Sequence, residues 1–318
     1  MRANILVTVP IEHLETTRSI LESAGDVIYR KYPSREELLT DLPGVHALYP
    51  NARTLLDSSL LEQARKLAVI STPSIGTDHI DLAYCQSRGI PVYSLSTEHE
   101  LMRSVSSTAE HTFGLMLSIM RKLPWAFRSV LEGKWSAAEF RGRDLQGKTI
   151  GIVGFGIIGS QLGVFARAFG MTVLVCDPYA KDLPHWVRAV DRDTLLHESH
   201  VISLHTPLTS ETQNMVNKEW FDRMQGAVII NAARGGVLDD AALIEALDSG
   251  RVSAAGLDVL SSETAAGMGN HPLVRYAQTH DNVFITPHSA GSSVDGQAKT
   301  FAHAARRLAN YLMENPIR

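Results

Sequence analysis

At 318 residues, with 44% hydrophobic and 20% charged side chains, the chain is long enough for two hydrophobic cores and has the composition of a globular protein. Its formal charge of −4, from 30 basic and 34 acidic residues, argues against capture of nucleic acid by bulk charge. Two cysteines, Cys85 and Cys176, cannot build a disulfide framework and fit a reducing cytoplasm, and the apolar start ILVTV is too short for a signal-peptide core or a membrane span.

From the N-terminus, short β-branched runs alternate with helical stretches. ILVTV, VHALYP, LAVIST and IPVYSL come first, and KTIGIVGFG, TVLVCD, HVISLHT, AVIINAA, SAAGLDVL and VFITPH follow. Apolar runs without polar alternation are the pattern of parallel strands buried on both faces. Their alternation with helices such as DDAALIEALDSG predicts βαβ units and doubly wound α/β sheets. No internal repeat or low-complexity tract interrupts the rhythm.

Between the two groups of strands lies SLSTEHELMRSV, Ser94 to Val105, a polar stretch that reads as a solvated hinge. The segment after it, SSTAEHTFGLMLSIMRKL from Ser106 to Leu123, predicts a helix apolar around most of its circumference. A helix buried on one side only shows a narrower stripe. The expectation is a helix, 106–122, that packs on its own domain and also on a second copy, making a homodimer.

Gly154, Gly156 and Gly159 stand at the GxGxxG spacing directly after a strand, and the helix they open leads to a second strand ending at Asp177. Alone the motif is weak, but in this context it is a dinucleotide fingerprint. Gly154 permits a tight turn, Gly156 lets the backbone approach a pyrophosphate, and Gly159 lets the helix sit close to the sheet. The amides near Ile157 and Ile158 face the phosphates at a helix N-terminus. Asp177 accepts from ribose hydroxyls and repels a 2′-phosphate, which favours NAD over NADP; Pro178 and Tyr179 supply no compensating charge, and Lys181 lies farther along.

Three later strand ends carry the remaining polar chemistry. IINAARGGVLDD presents Arg234, GLDVLSSET presents Asp258 and Glu263, and FITPHSAG presents His288. Loops beyond the carboxyl ends of parallel strands are where such sheets place ligands. An arginine holds a carboxylate and polarises the neighbouring carbonyl oxygen. A histidine exchanges the hydroxyl proton near neutral pH, and a carboxylate beside it favours the imidazolium and fixes the ring. The pattern calls for no metal.

With these residues in place, the chain resembles the D-isomer-specific 2-hydroxyacid dehydrogenase family along nearly its whole length. The resemblance rests on IGTDHIDLAYCQSRGIPV, TAEHTFGLMLSIMR, LQGKTIGIVGFGIIG, VISLHTPLTSETQNMVN, NAARGGVLDD, AAGLDV and DNVFITPHSAG. It implies two doubly wound parallel-sheet domains with a cleft between them: a flavodoxin-like substrate domain, residues 1–103 with 292–318, and a Rossmann NAD domain, residues 104–291. It further implies Arg234 as substrate anchor, Glu263 as partner carboxylate and His288 as acid/base. Thr206 and Pro207 would line the adenine side, Ala232 and Asp258 would meet the nicotinamide carboxamide, and Gly291 would complete the cofactor set. Amides of Ser74, Ile75 and Gly76 would bind the substrate carboxylate.

Three departures bear on the substrate. Thr264 follows the glutamate where family members commonly place proline, which predicts a looser loop. Asn51, with Arg53 two residues on, stands where many members carry a substrate-touching arginine. The segment before the long helix is longer than the common form, and in it Met102, Arg103 and Ser104 would lie nearest the distal end of the substrate, with Arg103 a replacement anchor for a second anionic group. The expected activity is NAD-dependent interconversion of a small D-2-hydroxy acid and its 2-oxo acid. The alternatives are an NAD(H)-sensing scaffold of the corepressor type and a phosphite dehydrogenase; Glu263, where formate dehydrogenases carry glutamine, argues against formate.

Overall fold

A computed structural model describes residues 2–263 and 267–317. The chain forms two compact units, Met1–Val105 with Ser292–Arg318, and Ser106–Gly291.

The first unit is a five-stranded parallel sheet of β1 (Ala3–Val7), β2 (Gly25–Tyr29), β3 (Ala47–Tyr49), β4 (Val69–Ser71) and β5 (Val92–Tyr93), in the order β2-β1-β3-β4-β5. Side chains alternate across a strand, so ILV in β1 serves both faces. Ile5 and Val7 join a cluster with Leu21, Tyr49, Phe301 and Leu308, while Leu6 joins Leu48, Ile70, Leu38 and Leu60 on the other side. This two-faced burial is why the strand reads as an unbroken apolar run. Each such Leu, Ile or Phe contributes roughly 1.5–3 kcal/mol.

The C-terminal helix Val294–Glu314 belongs to this unit because Phe301, Ala304, Ala305, Leu308 and Leu312 form one helical stripe buried on the sheet. Tyr49 Oη donates to the Phe301 carbonyl at 2.8 Å and Ser71 Oγ donates to the Ala304 carbonyl at 2.8 Å. The same helix corrects the hinge expected at 94–105. That stretch folds into a short helix, His99–Arg103, with Met102 buried. Glu98 accepts from Arg307 Nη1 and lies 3.0 Å from His303 Nε2, and Lys299 Nζ donates to the Ser104 carbonyl at 2.9 Å. Glu98, one of the charges that suggested solvation, is a tie to the C-terminal helix.

The second unit is a seven-stranded parallel sheet in the order β12-β11-β10-β9-β6-β7-β8. Its strands are β6 (Thr149–Val153), β7 (Thr172–Cys176), β8 (Val187–Ala189), β9 (Val201–Leu204), β10 (Ala227–Asn231), β11 (Val252–Leu257) and β12 (Val283–Ile285). Two clusters fill its faces, one around Ile150, Ile152, Ile230 and Leu162, the other around Leu204, Ile229, Phe221 and Leu243.

The long helix Ser107–Met120 is absorbed by the first of these clusters through Phe113, Leu115, Met116, Ile119 and Met120. It approaches β11 where Gly256 has no side chain: a Cβ there would stand 3.3 Å from Ile119 Cγ1 and 3.5 Å from Leu115 Cβ. Much of its apolar circumference is thus buried in its own unit. The exposed apolar surface comes one helix later, on Leu123–Leu131, where Phe127 is 66% and Leu131 71% exposed and Trp135 just beyond is 91% exposed. Among the described residues no helix is long and apolar enough to cross a membrane, and no group of His, Cys, Asp or Glu has the arrangement of a metal site.

Candidate functional site

All seven strands of the second unit run parallel, so their carboxyl ends share one edge. Along that edge, in steps of about 4.8 Å, stand Asp177 after β7, the glycine turn after β6, Thr206 after β9, Arg234 after β10, Glu263 after β11 and His288 after β12. Residues scattered over more than 130 positions of sequence are thus ordered in one row by strand order alone.

At one end, Gly154 has φ +89° and presses on the next loop: a Cβ would lie 2.8 Å from the His205 carbonyl oxygen. Gly159 approaches equally closely, its virtual Cβ 2.2 Å from the Gly154 carbonyl oxygen. Gly156 differs, for a Cβ there meets nothing within 4 Å, which leaves room for a ligand's phosphates. Helix Ile157–Ala168 starts at Gly156 with no side-chain cap and no acid in its first turn, so its first amides keep their capacity for an anion. Thr206 Oγ1, at the end of the adjacent strand, is buried without a hydrogen-bond partner. Asp177 Oδ2 accepts from Phe155 N at 2.7 Å and Oδ1 from Tyr179 N at 2.8 Å, which sets its carboxylate beside the turn. Open space at Gly156, uncapped amides and an orphaned hydroxyl fit a dinucleotide. Pro207 is exposed beside Thr206, whereas Ala232 is buried and offers backbone only. His205 hydrogen-bonds through Nε2 to Ser203 Oγ at 2.8 Å, and burial pushes it down to about 4.

At the other end, His288 Nδ1 lies 2.7 Å from Glu263 Oε1, each side chain 34% exposed. A carboxylate only accepts, so Nδ1 carries the proton and Nε2 is the ring nitrogen left for proton exchange. His288 itself has φ +52°, a left-handed conformation that costs a non-glycine residue of order 1 kcal/mol. Asp258 supports it. Its carboxylate has no exposed surface; it accepts from Ser289 N at 2.9 Å, Ala290 N at 2.8 Å and the Thr286 hydroxyl at 2.5 Å, while its carbonyl accepts from His288 N at 2.8 Å. Asp258, expected at the cofactor, has its side chain turned to the 286–290 backbone.

The loop of Glu263 is tied from two sides. Gly235, next to Arg234, packs so tightly that a Cβ would sit 1.9 Å from the Leu260 carbonyl oxygen, so the double glycine of ARGG brings the loops after β10 and β11 together. The Ser261 hydroxyl donates to Asp240 Oδ2, and His271 Nε2 stands 3.2 Å from the same oxygen. Burial raises the Asp240 carboxyl. Thr264, the departure expected to loosen this loop, lies outside the described residues. Arg234 is half-buried, its turn built by Asn231, whose Oδ1 accepts from Ala233 N and whose Nδ2 donates to the Arg234 carbonyl, both at 3.0 Å. Gly291 is exposed beyond the 286–290 turn.

Sequence reasoning missed Asn231, Asp240, His271 and His111. Asn231 announced itself as a polar residue ending an apolar strand; Asp240 and His271 show no signal before the fold joins them.

The remaining expected contacts lie in the first unit. Asn51 is buried, and its Nδ2 donates to the Thr8 carbonyl, Thr8 Oγ1 and Thr54 Oγ1 at 2.9–3.0 Å while Oδ1 accepts from Arg53 N at 2.7 Å. Asn51, expected at the substrate, has its amide protons engaged by its own loops. Ser74 closes its own turn, Oγ donating to the Gly76 carbonyl at 2.8 Å, and leaves Ile75 exposed at the tip. Arg103 ends its short helix on the exposed side, whereas Met102 is buried and the Ser104 carbonyl accepts from Lys299.

Comparison with known proteins agrees with this geometry. The family model described as "D-isomer specific 2-hydroxyacid dehydrogenase, NAD binding domain" matches residues 113–290. The D-3-phosphoglycerate dehydrogenase of Archaeoglobus fulgidus is 36% identical over 318 residues, but the chain spans only 58% of that protein's length. The hydroxypyruvate reductase of Thermotoga maritima is 36% identical over 299 residues, covering 94% of each chain. The crystal structure of D-lactate dehydrogenase from Aquifex aeolicus complexed with NAD and lactic acid superposes with a TM-score of 0.84 at 30% identity, covering 98% of this chain and 96% of that one. The chain belongs to the D-isomer-specific 2-hydroxyacid dehydrogenase family.

Proposed function

We propose that the protein is an NAD-dependent oxidoreductase that interconverts a small D-2-hydroxy acid and its 2-oxo acid. The observation that carries this reading is the 2.7 Å pair of His288 Nδ1 and Glu263, on the same strand edge as Arg234 and the glycine turn. The nicotinamide of bound cofactor supplies or takes up the hydride at C2. In the reducing direction Arg234 holds the carboxylate and polarises the oxo oxygen. His288, its ring fixed by Glu263, gives its Nε2 proton to that oxygen as the C–O double bond becomes single; in the oxidising direction it takes the hydroxyl proton back.

The relatives named above are dehydrogenases and reductases, which favours an enzyme over a scaffold. The phosphoglycerate enzyme among them favours a substrate with a second anionic group, with Arg103 its proposed contact. Helix 106–122 remains the proposed homodimer surface, with the exposed apolar face of helix Leu123–Leu131 and Trp135 extending it, and the proposed setting is the cytoplasm.

The test is NADH oxidation with pyruvate, glyoxylate, hydroxypyruvate and 3-phosphohydroxypyruvate, beside NAD reduction with phosphite. Turnover of at least one 2-oxo acid supports the proposal. Inactivity towards all of them with NADH binding intact would overturn it, and turnover of phosphite alone would replace it.

A further inference from the structure

We infer that His111 is a positioning residue for His288, acting through Thr286 and Asp258; the inference rests on the role proposed for His288. His111 lies in the second turn of helix Ser107–Met120, outside the 113–290 match to the family model, and does not belong to the row of side chains along the strand edge. Its Nε2 stands 2.9 Å from Thr286 Oγ1 and 3.3 Å from Asp258 Oδ1. The direction of the bonds follows from what each group can do. Asp258 accepts, so the Thr286 hydroxyl at 2.5 Å gives its only proton to the carboxylate. The Thr286 oxygen then receives from His111, and Nε2 carries the hydrogen.

A donor chain therefore runs from His111 to Thr286 to Asp258, each link polarising the next in a buried setting. It ends on the amides of Ser289 and Ala290, the two residues after His288, and Asp258 also holds His288 N through its carbonyl. The turn so held is the one in which His288 takes its left-handed φ of +52° and meets Glu263. A buried carboxylate whose donor is weakened or removed reorganises toward its remaining partners, and that loosens this turn. Helix Ser107–Met120 thus does more than fill the core. It braces the strained turn from behind.

Three variants test this. His111→Leu removes the donor at similar bulk, His111→Gln returns an N–H near the Nε2 position, and Thr286→Val cuts the chain one link closer should His111→Leu not fold. Amide hydrogen exchange is read at residues 288–290, together with kcat, KM for NADH and KM for the 2-oxo acid. The expected result for His111→Leu and Thr286→Val is about tenfold faster exchange at Ser289 and Ala290 and about tenfold lower kcat, with KM for NADH within about twofold of wild type. His111→Gln restores both. Unchanged exchange in His111→Leu and Thr286→Val, or a glutamine variant as defective as the leucine one, would overturn the inference. Exchange needs no turnover, so this arm decides even if no 2-oxo acid proves to be a substrate.

Discussion

The two units share one topology at the point where the chain turns from one half of the sheet to the other, and use it in opposite ways. In the first, the turning point lies between β1 and β3, and the loops that leave those strands are sewn together by Asn51 and Thr8. There the Asn51 amide is satisfied by its own loops, and the helix that follows β1 opens on Glu15, which serves its own dipole. In the second, the turning point lies between β6 and β9. Gly154 closes against His205, the helix at Gly156 is uncapped and free of acids, and Thr206 Oγ1 is buried without a partner. A topological switch point offers a crevice. The two differ in charge and space: the first unit's helix carries an acid in its first turn, whereas the helix at the glycine turn carries none and opens where a Cβ would meet nothing within 4 Å.

This contrast can be broken at several points. His288→Ala should lower kcat/KM for the 2-oxo acid by about 10³-fold while NADH affinity, set at the far end of the strand edge, changes less than twofold. Loss of NADH binding in this variant would show that the two ends are not separate. Gly156→Ala should do the reverse. Its φ of −73° suits alanine and its Cβ meets only open space, so the melting temperature should hold, while a methyl group in the path of the phosphates weakens NADH by at least about tenfold. Wild-type affinity in a folded Gly156→Ala protein would deny the turn its role.

Asp177→Ala should cut the preference for NADH over NADPH, read as the ratio of kcat/KM values, by about tenfold; an unchanged ratio would place the ribose contact elsewhere. A further effect, on stability alone, concerns His205, whose folded value of about 4 lies below that of an unfolded histidine. Between those values the unfolded chain binds the extra proton, so stability present above pH 6.5 is lost as pH falls toward 4. His205→Gln should flatten the acid limb of the urea-unfolding profile by roughly 2 kcal/mol after allowance for the residue's partial exposure. An identical slope in wild type and variant would refute it.

Much of this was legible before any coordinates. The strand runs, the fingerprint and the strand-end residues Arg234, Glu263 and His288 are local patterns, and local patterns survive translation into structure. What was illegible depends on partners distant in sequence. Glu98 reads as solvated until His303 and Arg307 stand opposite it. Asn51 shows no partner until Thr8 engages its amide, and part of the apolar girth of helix Ser107–Met120 finds its partner only where Gly256 lets it settle onto β11. Charge and hydrophobicity identify the residues that need a partner. They do not say whether the partner is a ligand, a second copy or another part of the same chain.

The most direct test of the division of labour along the strand edge is to measure NADH dissociation constants and kcat/KM for His288→Ala and Gly156→Ala side by side. The account predicts a crossed pattern, with turnover lost and binding kept in the first, and binding weakened in the folded second. If both variants lose binding and turnover together, or His288→Ala turns over near the wild-type rate, the assignment of cofactor and acid/base chemistry to opposite ends of this edge is wrong.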